Sequence, residues 1–450
     1  MDFRSFVELL EREGELLRIK EEVDPKWEIS GVLREMDRRR GPAVLFEKIK
    51  GYEARAAGNL LGSRRRLALA FGVPEGEVLE AYKMRRERLI PPRVESGGAK
   101  GIRRERNPGA DLLKILPVPI WSERDAGPYI TAGVILARSP KTGMLNMGIH
   151  EISALGGGEL AAVVGTPPLS LFLAEAESLR RPLEAAIIIG PPIPMLLASC
   201  APAPGVSKLD IAGGIAGEPL ILTRAEVVDL PVPEEAEIII EGRILPEREV
   251  EAGPFGDMTR YYFSYPAKIF RAELISVRED FIFHALHPQG EEGRALIQPF
   301  WSLEIERILQ NLFPEVRRAK LLPGMLCDLL LISIEKRADS SPRAVLAAAL
   351  TLFPSIKFAA IFDEDVDLED GFEILRALLT RTDPQRDLLI LLNLPGSDLD
   401  PVLRTRGAVG KVGIDATVPM KERERFAEAL PPAEILKRTR SLVEKLLRGG

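Results

Sequence analysis

The sequence of 450 residues contains little cysteine and little histidine, with two of the first and three of the second. The two cysteines, Cys200 and Cys327, are far apart, so we expect no disulfide framework and predict a reducing cytoplasm. No cysteine and histidine residues are spaced as they are in structural zinc sites. The sequence therefore argues against small disulfide-rich folds and zinc modules.

Long hydrophobic runs are also missing. No apolar run reaches the roughly 18 residues of a membrane-spanning helix. The first residues, Met1 to Arg4, open an amphipathic helix and lack the apolar core of a signal peptide. We therefore expect a cytoplasmic protein with no membrane span.

An excess of positive charge is missing as well, because the formal net charge is −6. Nucleic-acid binding draws much of its affinity from basic surface, so this balance argues against it. Three arginine clusters, at 38–40, 64–66 and 103–106, are interrupted by acids nearby. We interpret them as solvated faces.

What the sequence does contain predicts an α/β multidomain fold. A chain of this length with 46% hydrophobic residues is expected to form two or three domains. Residues 1–111 mix helical and short strand patterns and end in a Pro- and Gly-rich stretch from about residue 90, so they predict a small α/β domain and a linker or long loop. Residues 112–299 contain many short strands with Gly/Pro turns, which indicates a β-barrel. Residues 300–450 alternate helices and strands, which indicates a second α/β domain.

The stretch Glu247 to Tyr262 carries a candidate site. It follows a strand pattern, and its Gly253, Pro254 and Gly256 favour a tight path around Phe255. Such a turn can hold the Asp257 carboxylate beside a pocket. The alternative is an ordinary barrel turn with a solvated acid.

Several motifs in the same order resemble the UbiD family of decarboxylases. They include Asp-Ala-Gly-Pro-Tyr-Ile-Thr-Ala-Gly at 125–133, Pro-Lys-Thr-Gly at 140–143 and Asn-Met-Gly-Ile at 146–149. Gly-Pro-Phe-Gly-Asp at 253–257 and Lys-Val-Gly-Ile-Asp-Ala-Thr at 411–417 continue the series. The resemblance covers about residues 40 to 420.

This resemblance implies a split β-barrel of the flavin-binding type and a C-terminal domain that mediates oligomerisation, as a homodimer or a larger assembly. It also implies prenylated FMN, made by a flavin prenyltransferase, together with Mn²⁺ and often K⁺. Such enzymes interconvert α,β-unsaturated or aromatic carboxylic acids with CO₂ and the decarboxylated product.

The resemblance implies binding residues for the cofactor and the metal, but one of the three metal ligands has no suitable residue in this chain. The metal-binding Asn falls on Asn146 and the metal-binding Glu on Glu226, both hard oxygen ligands that suit Mn²⁺. The metal-binding His falls near Pro168, where no His exists. Ile149, in the Asn146 strand, and Lys357 are expected near the cofactor, although a solvated Lys357 is the alternative.

The catalytic positions are also altered. The family's Arg falls on Glu151 and its first acid on Ala252, while the second acid is kept as Asp257. A guanidinium clamps a carboxylate, whereas an ionised Glu repels one. The chain also has Arg260 where the family usually has Gly, so Glu151, Asp257 and Arg260 form a candidate relocated catalytic set, unless Arg260 faces solvent. His150 is either a replacement imidazole or a core histidine.

We therefore predict a UbiD-like reversible decarboxylase with a remodelled site, acting on a small carboxylic acid. A phosphorylated mevalonate derivative is one candidate substrate. The alternative is a non-catalytic homologue that serves as a structural or regulatory subunit beside a paralogous partner.

Overall fold

The computed structural model describes residues 1–96, 102–105, 112–324, 326 and 328–448. Cys327 and the predicted loop residues Gly97 and Gly98 lie outside this part. The described chain forms an α/β multidomain fold around a closed β-barrel, which confirms the predicted fold class. Among the described helices, none combines the length and the apolar character needed to cross a bilayer.

The N-terminal domain is a small sheet covered by helices. Its elements are α1 (Phe3–Arg12), β1 (Leu16–Val23), α2 (Glu28–Arg38), β2 (Ala43–Ile49), β3 (Arg55–Gly58), α3 (Arg64–Phe71) and α4 (Val78–Glu87), with a 3-10 turn at Glu75–Glu77. The Asp2 carboxylate accepts the N–H groups of Arg4 and Ser5, and so caps α1. Helix α1 then buries Phe3 and Phe6 against the core.

The central region contains most of the strands. Its elements are β4 (Arg93–Glu95), β5 (Ile102–Glu105), a 3-10 turn at Leu112–Lys114, β6 (Tyr129–Arg138), β7 (Leu145–Gly156), β8 (Glu159–Ala162), α5 (Leu169–Ser178), β9 (Leu183–Ile189), α6 (Ile193–Ser199), α7 (Lys208–Ala216), β10 (Ile221–Arg224), β11 (Pro231–Pro233), β12 (Ile238–Gly256), β13 (Tyr262–Arg278) and β14 (Ile282–His284). Strand β14 pairs in parallel with β3, and so joins the chain that follows the barrel to the N-terminal sheet.

Six antiparallel strands close the barrel in the order β12-β9-β6-β7-β8-β13, and β13 pairs back onto β12. The barrel has two apolar faces. Ile187 belongs to a buried cluster with residues from all six strands, whereas its neighbour Ile188 packs with α6, α7 and the N-terminal helices. Because successive strand residues point to opposite sides, β9 is a continuous apolar run.

The C-terminal domain is a five-stranded sheet in the order β15-β16-β17-β19-β18. Its elements are α8 (Glu291–Leu312), β15 (Val316–Leu322), β16 (Asp328–Ile334), α9 (Ser341–Leu352), β17 (Ile356–Asp363), α10 (Gly371–Arg381), β18 (Leu388–Leu394), α11 (Pro401–Arg406), β19 (Val409–Ala416), a 3-10 turn at Met420–Phe426 and α12 (Ala433–Arg448). Strand β18 is an edge strand and leaves apolar side chains in solvent.

Two local predictions differ from the structure. The predicted linker from residue 90 contains β4, which pairs with β10, and β5, which pairs with β13. The predicted tight turn around Phe255 is instead a register shift within β12, between Ala252 and Phe255, and the chain reverses only after Gly256. The predicted domain limits, 1–111, 112–299 and 300–450, stay predictions, and helix α8 runs through residue 299.

Gly242 is a point where the barrel seam tolerates no side chain. A Cβ there lies 2.0 Å from the Arg271 backbone oxygen on β13. We expect Gly242→Ala to lower the free energy of unfolding by about 1–3 kcal/mol, because the backbone must shift. Thermal unfolding followed by circular dichroism measures this.

The matched control is Gly31→Ala in α2, where a Cβ meets nothing within 4 Å. Alanine is the better helix former, so this variant is expected to be as stable as the wild type or slightly more stable. Equal midpoints for Gly242→Ala and the wild type would contradict the close approach.

Candidate active site

The candidate site begins at the turn between β12 and β13. The Asp257 N–H donates to the Tyr261 oxygen at 3.0 Å, and the Arg260 N–H donates to the Asp257 oxygen at 2.8 Å. Arg260 has φ +67°. A β-turn followed by one residue in the left-handed region is a common hairpin connection. The turn fixes the position of Asp257 at the end of the barrel ribbon.

Asp257 is buried, with 4% of its surface exposed. One carboxylate oxygen accepts the N–H of Met258, and the other accepts the hydroxyl of Tyr265 on β13. Burial raises the pKa of Asp257 above its usual value, although these hydrogen bonds and the charge of Arg404 act in the opposite direction.

Glu151 on β7 is the second acid of the site. Burial, and to a smaller extent the negative charge of Asp257, raise the pKa of Glu151 to about 7. Part of its surface remains accessible. Two carboxylates that interact this strongly release their protons as a pair. The site can therefore hold a proton near neutral pH, which an isolated exposed acid cannot do.

The C-terminal domain adds a cation to this pair. Arg404 in α11 donates to the Ser264 backbone oxygen at 2.9 Å, and its guanidinium lies 4.8 Å from the centre of the Tyr265 ring. Burial also raises the pKa of Tyr265, as does the neighbouring charge of Asp257, so this phenol remains a hydrogen-bond donor.

A second group of polar side chains lies next to Glu151. Lys208 is buried at the start of α7, donates to the Ser199 oxygen at 2.7 Å, and has a pKa lowered to about 8 by burial. Burial raises the pKa of the Cys200 thiol, and the charge of Glu151 contributes in the same direction. Burial lowers the pKa of His150 to about 4.

His150 is held by the barrel itself. Its Nδ1 lies 3.0 Å from the Val163 oxygen and must donate to it, since a carbonyl only accepts. This contact is the one expected of a satisfied core histidine. His284 and His287 also have separate partners, Glu292 and Ser30.

The predicted metal ligands do not form a metal site as they are arranged. The Asn146 amide oxygen accepts the N–H groups of Met147 and Lys208, which uses both of its lone pairs, and its amide nitrogen donates to Val206. Glu226 is on the surface after β10. No three His, Cys, Asp or Glu side chains of the described chain cluster as a metal requires. We derive no step through a metal.

Two other predicted site residues, Lys357 and Arg260, do not join the acid pair. Lys357 forms an ion pair with Asp400 at 2.8 Å, where α11 begins. Arg260 forms no hydrogen bond or ion pair with Glu151 or Asp257 through its side chain, within the described residues, and instead lines a cleft beside His287. The structure therefore brings together two members of the predicted set, Glu151 and Asp257.

Half-buried apolar side chains lie on the same face of the barrel as Glu151. Ile149 precedes it by two residues on β7, and Cys200, Val206, Ala225 and Val227 pack against the same core cluster while keeping part of their surface accessible. A partly open apolar surface beside polar groups suits a flat aromatic ligand.

Three residues of this site carry no signal in the sequence. Tyr265 is one of several aromatic residues in β13, Lys208 follows an ordinary helix cap, and Arg404 is more than a hundred positions away from Asp257. For Tyr265 there is one weak signal. A hairpin predicted after Asp257 could bring a tyrosine eight residues later back towards that acid.

The Glu151 pKa predicts a stability change with pH. A carboxyl whose pKa is raised from about 4.5 to about 7 on folding stabilises the fold at low pH, and this contribution is lost as the pH rises through 7. We expect Glu151→Gln to remove the fall between pH 4.5 and 7, and to be up to about 3 kcal/mol more stable than the wild type at pH 8.

Chemical unfolding at several pH values tests this. The exposed Glu247→Gln is the control and should follow the wild type at every pH. A Glu151→Gln curve parallel to the wild type would mean that folding does not raise the pKa of Glu151.

Comparison with known proteins identifies the family. Models of the three parts of 3-octaprenyl-4-hydroxybenzoate carboxy-lyase match this chain: the N-terminal domain at residues 7–83, the Rift-related UbiD domain at 94–291 and the C-terminal domain at 295–416. The chain is 35% identical over 427 residues to anhydromevalonate phosphate decarboxylase from Methanothermobacter thermautotrophicus, covering 94% of this chain and 98% of that protein.

Two solved structures have the same fold along the whole chain. One is the UbiD-class enzyme HmfF from Pelotomaculum thermopropionicum in complex with FMN, with TM-score 0.88, 34% identity and coverage of 96% of this chain and 98% of that one. The other is vanillic acid decarboxylase from Sedimentibacter hydroxybenzoicus in a closed form, with TM-score 0.88, 27% identity and coverage of 99% and 98%. Taken with the barrel and the acid pair, these matches show that the chain belongs to the UbiD family of carboxy-lyases.

Proposed function

We propose that this protein is a prenylated-FMN-dependent decarboxylase of an α,β-unsaturated or aromatic carboxylic acid, with a remodelled acid site. The observation that carries the proposal is the pair of Glu151 and Asp257, two carboxyl groups that hold a proton near neutral pH. Decarboxylation needs such a proton, because the carbon that loses CO₂ must receive one.

A protonated Glu151 can bind the substrate carboxylate, a role that the UbiD resemblance assigns to an arginine at this position. An ionised Glu151 repels the carboxylate of a substrate, whereas a neutral carboxyl group donates a hydrogen bond to it. Asp257, held by Tyr265, favours the neutral form of Glu151 through its own charge. In this proposal, Glu151 gives its proton to the substrate carbon when CO₂ leaves, and solvent restores the proton.

The cofactor proposal is prenylated FMN. Its support is the FMN in HmfF and the half-buried apolar surface around Ile149. A bound flavin supplies a conjugated ring system that accepts the electron pair left by departing CO₂. The residues that would hold it are Ile149, Val206 just before α7, and Ala225 and Val227 just after β10. Asn146 would support that surface through its contacts to Met147 and Lys208.

The preferred substrate class is a phosphorylated, mevalonate-derived unsaturated acid. The support is the name of the relatives from Methanothermobacter thermautotrophicus and Methanosarcina mazei, each called anhydromevalonate phosphate decarboxylase, at 35% and 30% identity.

Co-expression with a flavin prenyltransferase tests the function. We expect the purified protein to carry prenylated FMN, seen by absorbance and mass spectrometry, and to release CO₂ from anhydromevalonate phosphate. Glu151→Gln and Asp257→Asn should each lower kcat by about a hundredfold or more, because both remove proton transfer. Glu247→Gln, at an exposed position, should leave kcat unchanged.

The pH profile adds a second criterion. Activity should fall as the pH rises above about 7, where Glu151 ionises and repels the substrate carboxylate. A protein that carries no flavin and releases no CO₂ would overturn the proposal and favour the role of a non-catalytic subunit.

A homo-oligomer formed through the C-terminal domain is part of the proposal. Strand β18 is an edge strand with Ile390 and Leu392 at 59% and 70% exposure, and Phe372 and Leu379 on α10 are 73% and 81% exposed. An exposed apolar edge strand is a site where another chain pairs. A second copy of this chain fits, because the solved relatives include a dimeric form of HmfF.

We expect Leu392→Lys to shift the protein towards a monomer in analytical ultracentrifugation, since a charge is costly inside an apolar interface. Leu155→Lys, at a residue 51% exposed near the end of β7, is the control. Identical sedimentation of the wild type and Leu392→Lys would place the interface elsewhere.

A further inference from the structure

A large cleft separates the N-terminal domain from α8 and β15. Its volume is about 1060 Å³, and its walls come from α3, α4, α8, β15 and the turn that carries Arg260. A smaller cavity of about 170 Å³ shares Arg260 with it and adds Arg34 and His287. Arg260 therefore stands where the two spaces meet.

The charge of the cleft is positive. Seven basic and four acidic side chains line it. Three of the acids already have partners: Glu291 pairs with Arg294, Glu369 with Lys320, and Glu306 accepts the Ala319 N–H at 3.0 Å.

Several basic side chains around the two cavities have no acidic partner among the described residues. In the described part of the chain, five basic side chains around the two cavities form neither a side-chain hydrogen bond nor an ion pair, namely Arg34, Arg40, Arg64, Lys83 and Arg260. Arg40 and Arg64 belong to the arginine clusters that the sequence led us to interpret as solvated faces. Both are exposed, as expected, and both also line this concave surface, an arrangement that favours an anionic ligand.

Arg260 occupies a backbone position that favours glycine. It is the left-handed residue of the hairpin turn, with φ +67°, and a side chain there costs free energy that glycine does not. The UbiD resemblance places Gly at this position. Non-glycine residues in the left-handed region cluster at functional sites. The conformation of Arg260 therefore favours a functional role for its side chain.

His287 gives a second, independent sign of a ligand. It is 6% exposed, lines the smaller cavity, and its Nε2 lies 3.2 Å from the Ser30 hydroxyl. Its Nδ1 is buried without a hydrogen-bond partner in the described structure. A buried ring nitrogen of this kind normally has a partner. An oxygen-rich anion held by Arg34 and Arg260 supplies an acceptor for Nδ1–H.

We propose that the place where this cleft meets the smaller cavity binds the phosphate group of a phosphorylated carboxylic acid substrate, with Arg260 and Arg34 as its main ligands. The proposal rests on the proposed decarboxylase function and names the part of the substrate that the acid pair does not recognise. Planar guanidinium groups pair with phosphate oxygens through two parallel hydrogen bonds, so two arginines suffice to hold a phosphate monoester.

The turn brings the acid site and the cleft close together. Asp257 and Arg260 are the first and last residues of one β-turn, so their Cα atoms are within about 7 Å. Asp257 belongs to the buried acid pair and Arg260 lines the cleft. The separation of these two backbone positions is comparable to the length of a short carbon chain.

Titration calorimetry with defined probes tests the proposal. The probes are mevalonate 5-phosphate, unphosphorylated mevalonate and inorganic phosphate, added to the purified full chain. We expect mevalonate 5-phosphate to bind at least about tenfold more tightly than mevalonate, and inorganic phosphate to compete with it. Arg260→Gly and Arg34→Ala should each remove most of this preference.

Two controls separate the ligand role from folding and from general charge. Arg260→Gly restores the residue that the turn favours, so its thermal midpoint should equal or exceed that of the wild type. Arg440→Ala removes an exposed arginine of α12 and should keep the preference for the phosphorylated acid.

If Arg260→Gly and Arg440→Ala lost binding equally, the change in net charge alone would explain the loss. That result would overturn the proposal. Binding of inorganic phosphate without any preference for the phosphorylated acid would assign the cleft to free phosphate, and would also overturn it. A protein that shows the expected binding but releases no CO₂ keeps this site and overturns the proposed function alone.

Discussion

The long antiparallel pairing of β12 with β13 is the constraint on which the rest of the structure depends. It closes the six-stranded barrel, and its hairpin turn fixes Asp257 and Arg260 while β13 supplies Tyr265. Three register shifts interrupt the pairing. Each adds local bend and twist to a ribbon that would otherwise be too straight to close. The same irregularities that shape the barrel thus position the acid site.

The acid pair is the basis of the proposed function. The UbiD resemblance places an arginine where this chain has Glu151, and an ionised glutamate would oppose a carboxylate substrate. Buried beside Asp257, it holds a proton at neutral pH instead. Arg404 restores a cation from a different domain, and Tyr265 keeps a hydrogen bond on Asp257. In the proposed function, the surroundings of Glu151 set its charge, and its residue type alone does not.

The sequence alone predicted the α/β multidomain fold and the central barrel, because apolar alternation and Gly/Pro turns are local signals. It also predicted that Glu151 and Asp257 belong together, through the resemblance. It did not predict the register shift near Phe255, since β-strand pairing depends on a partner that is distant along the chain. Nor did it predict Arg404 beside Tyr265, or an Arg260 side chain that faces the cleft. Both depend on how the domains pack.

The contact of Arg404 with the hairpin has a thermodynamic consequence. Its guanidinium lies over the Phe263 and Tyr265 rings, while α11 is anchored in the C-terminal domain by the pair of Lys357 and Asp400. The positive charge of Arg404 lowers the proton affinity of Asp257. The position of the C-terminal domain and the protonation of the acid pair are therefore linked equilibria. Moving that domain away from the barrel favours proton uptake, and proton uptake in turn weakens its hold on the barrel.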